Sequence, residues 1–123
     1  MRRRFWAAVA LMAFGYGLSP GTSALAGYGA IAWDRETGKT GWVWKQPTPR
    51  KAAEMALSQC GASGCRLVVK PTPACAALAS TENGKYIGAA ARDTQDAARL
   101  AALTNCNKGK VGECVVKASD CNK

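Results

Sequence analysis

Histidine is absent from all 123 residues of this chain. Without it the usual general base at neutral pH is missing, and so is every Ser-His or Cys-His nucleophile pair. Carboxylates are scarce as well, 8 Asp+Glu against 17 Lys+Arg. The closest pairs in sequence are Asp34 with Glu36 and Asp93 with Asp96. Asp93 and Asp96 suit a helix N-terminus, where negative side chains are favourable. Asp34 and Glu36 flank a turn, which leaves a two-carboxylate hydrolase as a distant third reading. No Gly-rich phosphate loop precedes a helix, and the glycines fall in turns. Past residue 4 there is no run of three basic residues and no basic motif interleaved with aromatics, so nucleic acid is not an expected partner. No cofactor is expected either.

The apolar content is concentrated at the start. Arg2, Arg3 and Arg4 precede an apolar stretch from Phe5 to Leu18, which Ser19-Pro20-Gly21 breaks before an A-x-A site at Ala24-Leu25-Ala26. Residues 1–26 therefore read as a secretory signal peptide, cleaved to leave Gly27 first. A retained anchor fits less well, because the apolar run is shorter than the roughly 20 residues that span a bilayer. No second apolar stretch follows, so no membrane span is expected after cleavage. The expected location is periplasmic or secreted. Three of the 17 basic residues lie in the leader, leaving 14 against 8 acids. They are scattered, as on a solvated surface. The excess would also attract an anionic envelope polymer or an acidic protein partner.

Residues 27–123 are too short to hold more than a single domain, and a core of that size is marginal. Its internal pattern runs twice. Gly29 to Trp33, the turn Glu36-Thr37-Gly38-Lys39 and Gly41 to Trp44 read as a hairpin, as do Ala76 to Ala79, Glu82-Asn83-Gly84-Lys85 and Gly88 to Ala91. A helix follows each: Arg50 to Gln59, with Thr48 as cap and Pro49 at its first position, and Asp96 to Asn105, capped by Asp93 or Thr94. A Gly-containing loop then leads to a buried-type strand, Cys65 to Lys70 and Cys114 to Lys117. The expected fold class is α+β, two β-β-α-β repeats over about 28–75 and 76–121 in one disulfide-stapled domain.

Each unit so drawn holds three cysteines, Cys60, Cys65 and Cys75, then Cys106, Cys114 and Cys121. In an exported chain they are expected to pair. Structural zinc is disfavoured by the missing C-x2-C knuckles and the missing histidine. An odd number per unit requires at least one bridge between units. Six cysteines allow fifteen pairings, and a pseudo-twofold relation between units leaves fewer than half of them. The sterically easiest of these is Cys60–Cys65, Cys106–Cys114 and Cys75–Cys121, with the others still open.

The segments Tyr28-Gly-Ala-Ile-Ala-Trp33, Ser58-Gln-Cys60-Gly61, Cys65-Arg-Leu-Val-Val69 and Ala74-Cys75-Ala-Ala-Leu-Ala79 resemble the bacterial secreted family called domain of unknown function 4189. The resemblance extends over about 29–121. It implies export, disulfides and an α+β fold, and it carries no catalytic residue over.

Tryptophans supply the candidate site. With a two-residue turn at Thr37-Gly38, Trp33 lies opposite Trp42 and Ile31 opposite Trp44, all four on one face. That face is either core or an exposed platform for sugar rings or a partner's side chains. Lys39 and Lys45 nearby would suit an anionic glycan. The matched strands of the second unit carry small residues, which would leave room for indoles. The expectation is a non-enzymatic binding domain whose partner is a protein of the envelope, as an inhibitor or immunity factor would have. A cell-wall glycan bound through Trp33, Trp42 and Trp44 is the alternative.

Overall fold

The computed structural model describes residues 27–108 and 113–122. The signal peptide expected at 1–26, the glycines expected in the loop before Cys114, and Lys110 and Lys123 lie outside the described residues.

Eight elements follow in the order β1 (Tyr28–Trp33), β2 (Thr40–Gln46), α1 (Pro49–Cys60), β3 (Arg66–Thr72), β4 (Cys75–Ser80), β5 (Ile87–Arg92), α2 (Gln95–Asn107) and β6 (Val115–Cys121). The order β-β-α-β thus runs twice. Each run makes its own antiparallel sheet, β2-β1-β3 and β5-β4-β6. The helices start where their caps require. Thr48 and Thr94 are extended, and their side chains accept the backbone N–H of Lys51 and Ala97. Gly61, at φ 74°, ends α1 in the left-handed conformation that glycine adopts without penalty.

The strands alternate between two buried environments. Ala30, Ala32 and Val43 meet Ala52, Ala56 and Cys60 of α1. Ala77 and Ala79 meet Ala98, Ala102 and Cys106 of α2 in the same way. The opposite faces of the two sheets pack on each other through Ile31, Val69, Ala76 and Leu78. The result is four layers: helix, sheet, sheet, helix. Alanine dominates the helix–sheet layers because the helices lie unusually close. A Cβ on Gly41 would collide with the backbone of Ala56 and Cys60, and one on Gly88 with that of Ala102 and Cys106. These two glycines are equivalent positions in the two halves, and each sets how near its helix approaches.

The pairing of the first hairpin departs from the sequence reading by two residues. Ile31 lies opposite Trp42 and Trp33 opposite Thr40. The cause is the turn. Asp34 accepts the N–H of Glu36 at 3.1 Å and the Thr37 hydroxyl at 2.7 Å, and its own N–H donates to Lys39 O. Residues 35–38 therefore form the loop, not Thr37-Gly38 alone. A two-residue slip preserves the face of every side chain. Ile31, Trp33, Trp42 and Trp44 still share a face, but a different set of pairs.

The disulfides are Cys60–Cys65, Cys75–Cys121 and Cys106–Cys114. The pairs match those chosen above, but one has a different role. Cys75 opens β4 and pairs directly across from Cys121 in β6. That bridge staples the second sheet and does not join the two halves. The halves are instead held by the sheet-on-sheet layer and by Asn122. Asn122 is 1% exposed. Its side chain accepts from Lys45 N at 2.9 Å and donates to Ala74 O at 2.7 Å, and its carbonyl accepts from Gly27 N.

The outer edges of the sheets are occupied too. Gln59 accepts the outward N–H of Trp42, and Gln95 donates to Ser119 O. Pro71 interrupts donors along β3. Such capping discourages pairing with a foreign strand. No helix among the described residues is long and apolar enough to cross a membrane.

Candidate functional site

The strand directions bring three loops to one end of the sandwich. Both β1 and β4 run toward that end, as do both helices. It therefore carries the hairpin loops 34–39 and 81–86 and the segment that leaves α1 toward Cys65. These three pieces are locked together. Gly38 and Gly84 touch backbone to backbone, with φ 76° and 73°, so neither tolerates a side chain. Trp33 Nε1 donates to Gly84 O at 2.8 Å across the two halves. Gly64 lies against the Asp34 carboxylate, where a Cβ would come within 2.8 Å of Oδ1. Cys60–Cys65 closes the loop that carries Gly64, and Cys65 N donates to Ala62 O.

Between the 34–37 loop and residues 62–68 lies an open cleft of about 880 Å³. Trp33 and the Asp34 loop form one wall. Ser63, Gly64 and Arg66 contribute to the other. Asp34 is 4% exposed. Its carboxyl is held below its ordinary pKa, chiefly by the Thr37 hydroxyl; burial opposes this, while the Glu36 and Thr37 N–H groups and Lys39 assist. Both oxygens accept bonds from Asp34's own loop, so this group orders the loop and makes a weak base. Arg35 and Arg66 line the same cleft, both exposed, and neither makes an ion pair with another described residue.

The expected site residues are dispersed. Trp33, half-buried, and Lys39, exposed, come to the loop end. Trp42 and Trp44, also half-buried, lie in the layer between the sheets, against a second sheet whose face there is Ala76, Leu78, Ala89, Ala91 and Ala118. They form no open platform. The small residues opposite do accommodate them. Lys45 lies toward the other end, at φ 57°, beside Asn122. Sequence reasoning overlooked Arg35 and Arg66. Their signal is faint, a basic residue beside Asp34 and another after Cys65, and only the pairing of Trp33 with Arg66 across β1 and β3 brings them to one cleft. Among the described residues no group of three or more His, Cys, Asp or Glu could hold a metal ion.

The fold and this end of it define a class: a small α+β domain of two stacked sheets, each backed by a helix, tied by three disulfides. Such bridges belong to chains that fold in an oxidising, non-cytoplasmic compartment. The chain belongs to the family described as Domain of unknown function (DUF4189), whose model matches residues 28–121. It is 41% identical over 61 residues to the uncharacterized protein Rv1813c of Mycobacterium tuberculosis, a match covering 50% of this chain and 41% of that protein. The uncharacterized protein Mb1843c of Mycobacterium bovis matches to the same extent. The chain thus spans less than half the length of these curated relatives. The fold resembles the NMR structure of Rv1813c, with a TM-score of 0.61 at 26% identity, over 99% of this chain and 95% of that one.

Proposed function

We propose that this chain is an exported, non-enzymatic binding domain that grips another protein of the bacterial envelope with its loop end. The observation that carries this reading is the convergence of both hairpin loops at one end of the sandwich, locked by the Gly38–Gly84 contact and the Trp33–Gly84 hydrogen bond. Binding loops on a rigid scaffold lose little conformational entropy when a partner docks. The side chains they present, among them Arg35, Glu36, Lys39, Lys85 and Tyr86, are exposed. An inhibitor or immunity factor needs that combination of fixed backbone and accessible side chains.

The competing readings have less support. A glycan platform loses Trp42 and Trp44 to the layer between the sheets and retains Trp33 alone. A carboxylate hydrolase needs an acid with a raised pKa, whereas Asp34 is shifted downward and occupied by its own loop. Export to the periplasm or medium rests on the leader at 1–26 together with the disulfides.

Photo-crosslinking in the producing cells tests the proposal. A crosslinking residue at Glu36 or Lys85 should yield one discrete protein adduct. The same residue at Lys51, at the opposite end of α1, should yield none. Adducts from Lys51 alone, or none from any position, would refute a loop-end protein interface.

A further inference from the structure

We infer that the cleft beside Trp33 receives an acidic side chain of the partner, held by Arg66 and Arg35. This deepens the loop-end reading and rests on it. The cleft has the volume of a small-ligand pocket, about 880 Å³. Its backbone is immobilised on every side. Trp33 is anchored by its indole N–H to Gly84 O at 2.8 Å. The Asp34 loop is tied by bonds to both carboxylate oxygens. The 62–65 turn is closed by a disulfide and fits against Asp34. The two guanidinium groups are exposed at its mouth.

Arg66 stands directly across from Trp33 in the β1–β3 register. Cross-strand partners of this kind are within side-chain reach of each other. Arg66 and Arg35 have no ion pair among the described residues. Asp34 lines the same cleft, but both of its oxygens already accept bonds from its own loop. Two unpaired guanidiniums over an aromatic wall are suited to a carboxylate, which Arg binds through two parallel N–H donors. The indole would pack against the carbon stem that carries it. Glu36 on the rim carries a negative charge, and it disfavours a polymer with an acid on every unit more than a single inserted carboxylate. An isolated Asp or Glu within a peptide therefore fits better than a polyuronide chain.

Among the described residues, only the first half has this cleft chemistry. The positions equivalent to Trp33 and Asp34 in the second half are Ser80 and Thr81, which are buried and bring neither an indole nor a carboxylate. A partner would therefore engage the two halves unequally despite their similar backbones.

Titration of the oxidised domain with a Gly-Glu-Gly peptide and, separately, with a trigalacturonate oligosaccharide tests this inference, followed by NMR of the Trp33 indole N–H. The peptide should shift the Trp33 indole signal and the Ser63, Gly64 and Arg66 amides, and the oligosaccharide should shift them less. Arg66→Ala should weaken peptide binding about tenfold or more, the usual effect of removing a charged hydrogen-bond partner. Arg66→Lys should restore only part of it, because an ammonium cannot fork a carboxylate. Lys51→Ala, which removes one charge at the far end, should leave binding unchanged. Equal losses from Arg66→Ala and Lys51→Ala would reduce the effect to net charge and overturn the inference. So would stronger shifts with the oligosaccharide, or no shift at Trp33. Crosslinks at Glu36 and Lys85 that persist in Arg66→Ala would overturn the cleft while leaving the loop-end interface standing.

Discussion

Asn122→Ala should be among the most damaging single substitutions in the domain, although Asn122 stands next to the last residue of the chain. Its side chain is 1% exposed. It satisfies the Lys45 N–H at 2.9 Å in the first half and the Ala74 C=O at 2.7 Å in the connection leading to β4. Alanine leaves both groups without a partner in a partly buried site. Each orphaned group costs roughly 1–3 kcal/mol, so the expected loss is about 2–6 kcal/mol. A domain of this size has about 5–15 kcal/mol in total, and each kcal/mol moves the melting temperature by about 4–8 °C. Thermal melts under non-reducing conditions should therefore show a drop of at least about 8 °C. Asn122→Asp separates the two bonds. Its carboxylate can still accept from Lys45 but faces the Ala74 carbonyl, so the variant should be destabilised at neutral pH and regain stability as acid protonates it. Asn122→Ala melting within about 2 °C of the wild type would refute the assignment of Asn122 as a tie between the halves.

Four further outcomes follow from the same structure. Trp33→Phe removes the donor to Gly84 O and should cost about 1–2 kcal/mol, whereas Trp33→Ala, which also loses half-buried aromatic surface, should cost about 2–4 kcal/mol in urea titrations. Gly88→Ala forces a Cβ into the α2 backbone and should destabilise by about 1–3 kcal/mol or more, with Gly41→Ala matching it; a neutral result at either would contradict the close helix approach. Asp34 has a folded pKa below its unfolded value of 3.8, so its contribution is present above that value and is lost as pH falls through the folded one; Asp34→Asn should flatten that acid limb in melts run from pH 5 downward. Cys75–Cys121 spans 46 residues against 5 for Cys60–Cys65, and the chain-entropy model assigns them about 4 and about 2 kcal/mol, so Cys75→Ala with Cys121→Ala should lower the denaturant midpoint more than Cys60→Ala with Cys65→Ala.

Much of the fold was legible in local chemistry. Thr48-Pro49 and Thr94 mark helix starts because an extended Thr followed by free N–H groups has the same consequence in any context. The strands were legible because small and apolar residues run between glycine turns. The closures Cys60–Cys65 and Cys106–Cys114 were the sterically easiest choice at separations of 5 and 8 residues, but other pairings stayed open until the structure placed all six cysteines. The β1–β2 register was not legible, since it depends on Asp34 capturing Glu36 N and Thr37 Oγ1 rather than on which residues occupy the turn. The cleft was missed for a related reason. Arg35 and Arg66 are separated by more than half of the first unit and meet only through the β1–β3 ladder.

The sequence by itself determined the two β-β-α-β runs, the disulfide-tied α+β class and the family, because each follows from patterns confined to a few neighbouring residues. Tertiary structure alone decided which face of each sheet meets a helix and which meets the other sheet. It therefore turned Trp42 and Trp44 inward, placed Cys75 in β4 so that its bridge staples one sheet, and made Asn122 a polar link between halves beside the Trp33–Gly84 bond. Alternation marks two faces on a strand equally well when both are buried. Only the stacking of one sheet on the other distinguishes them.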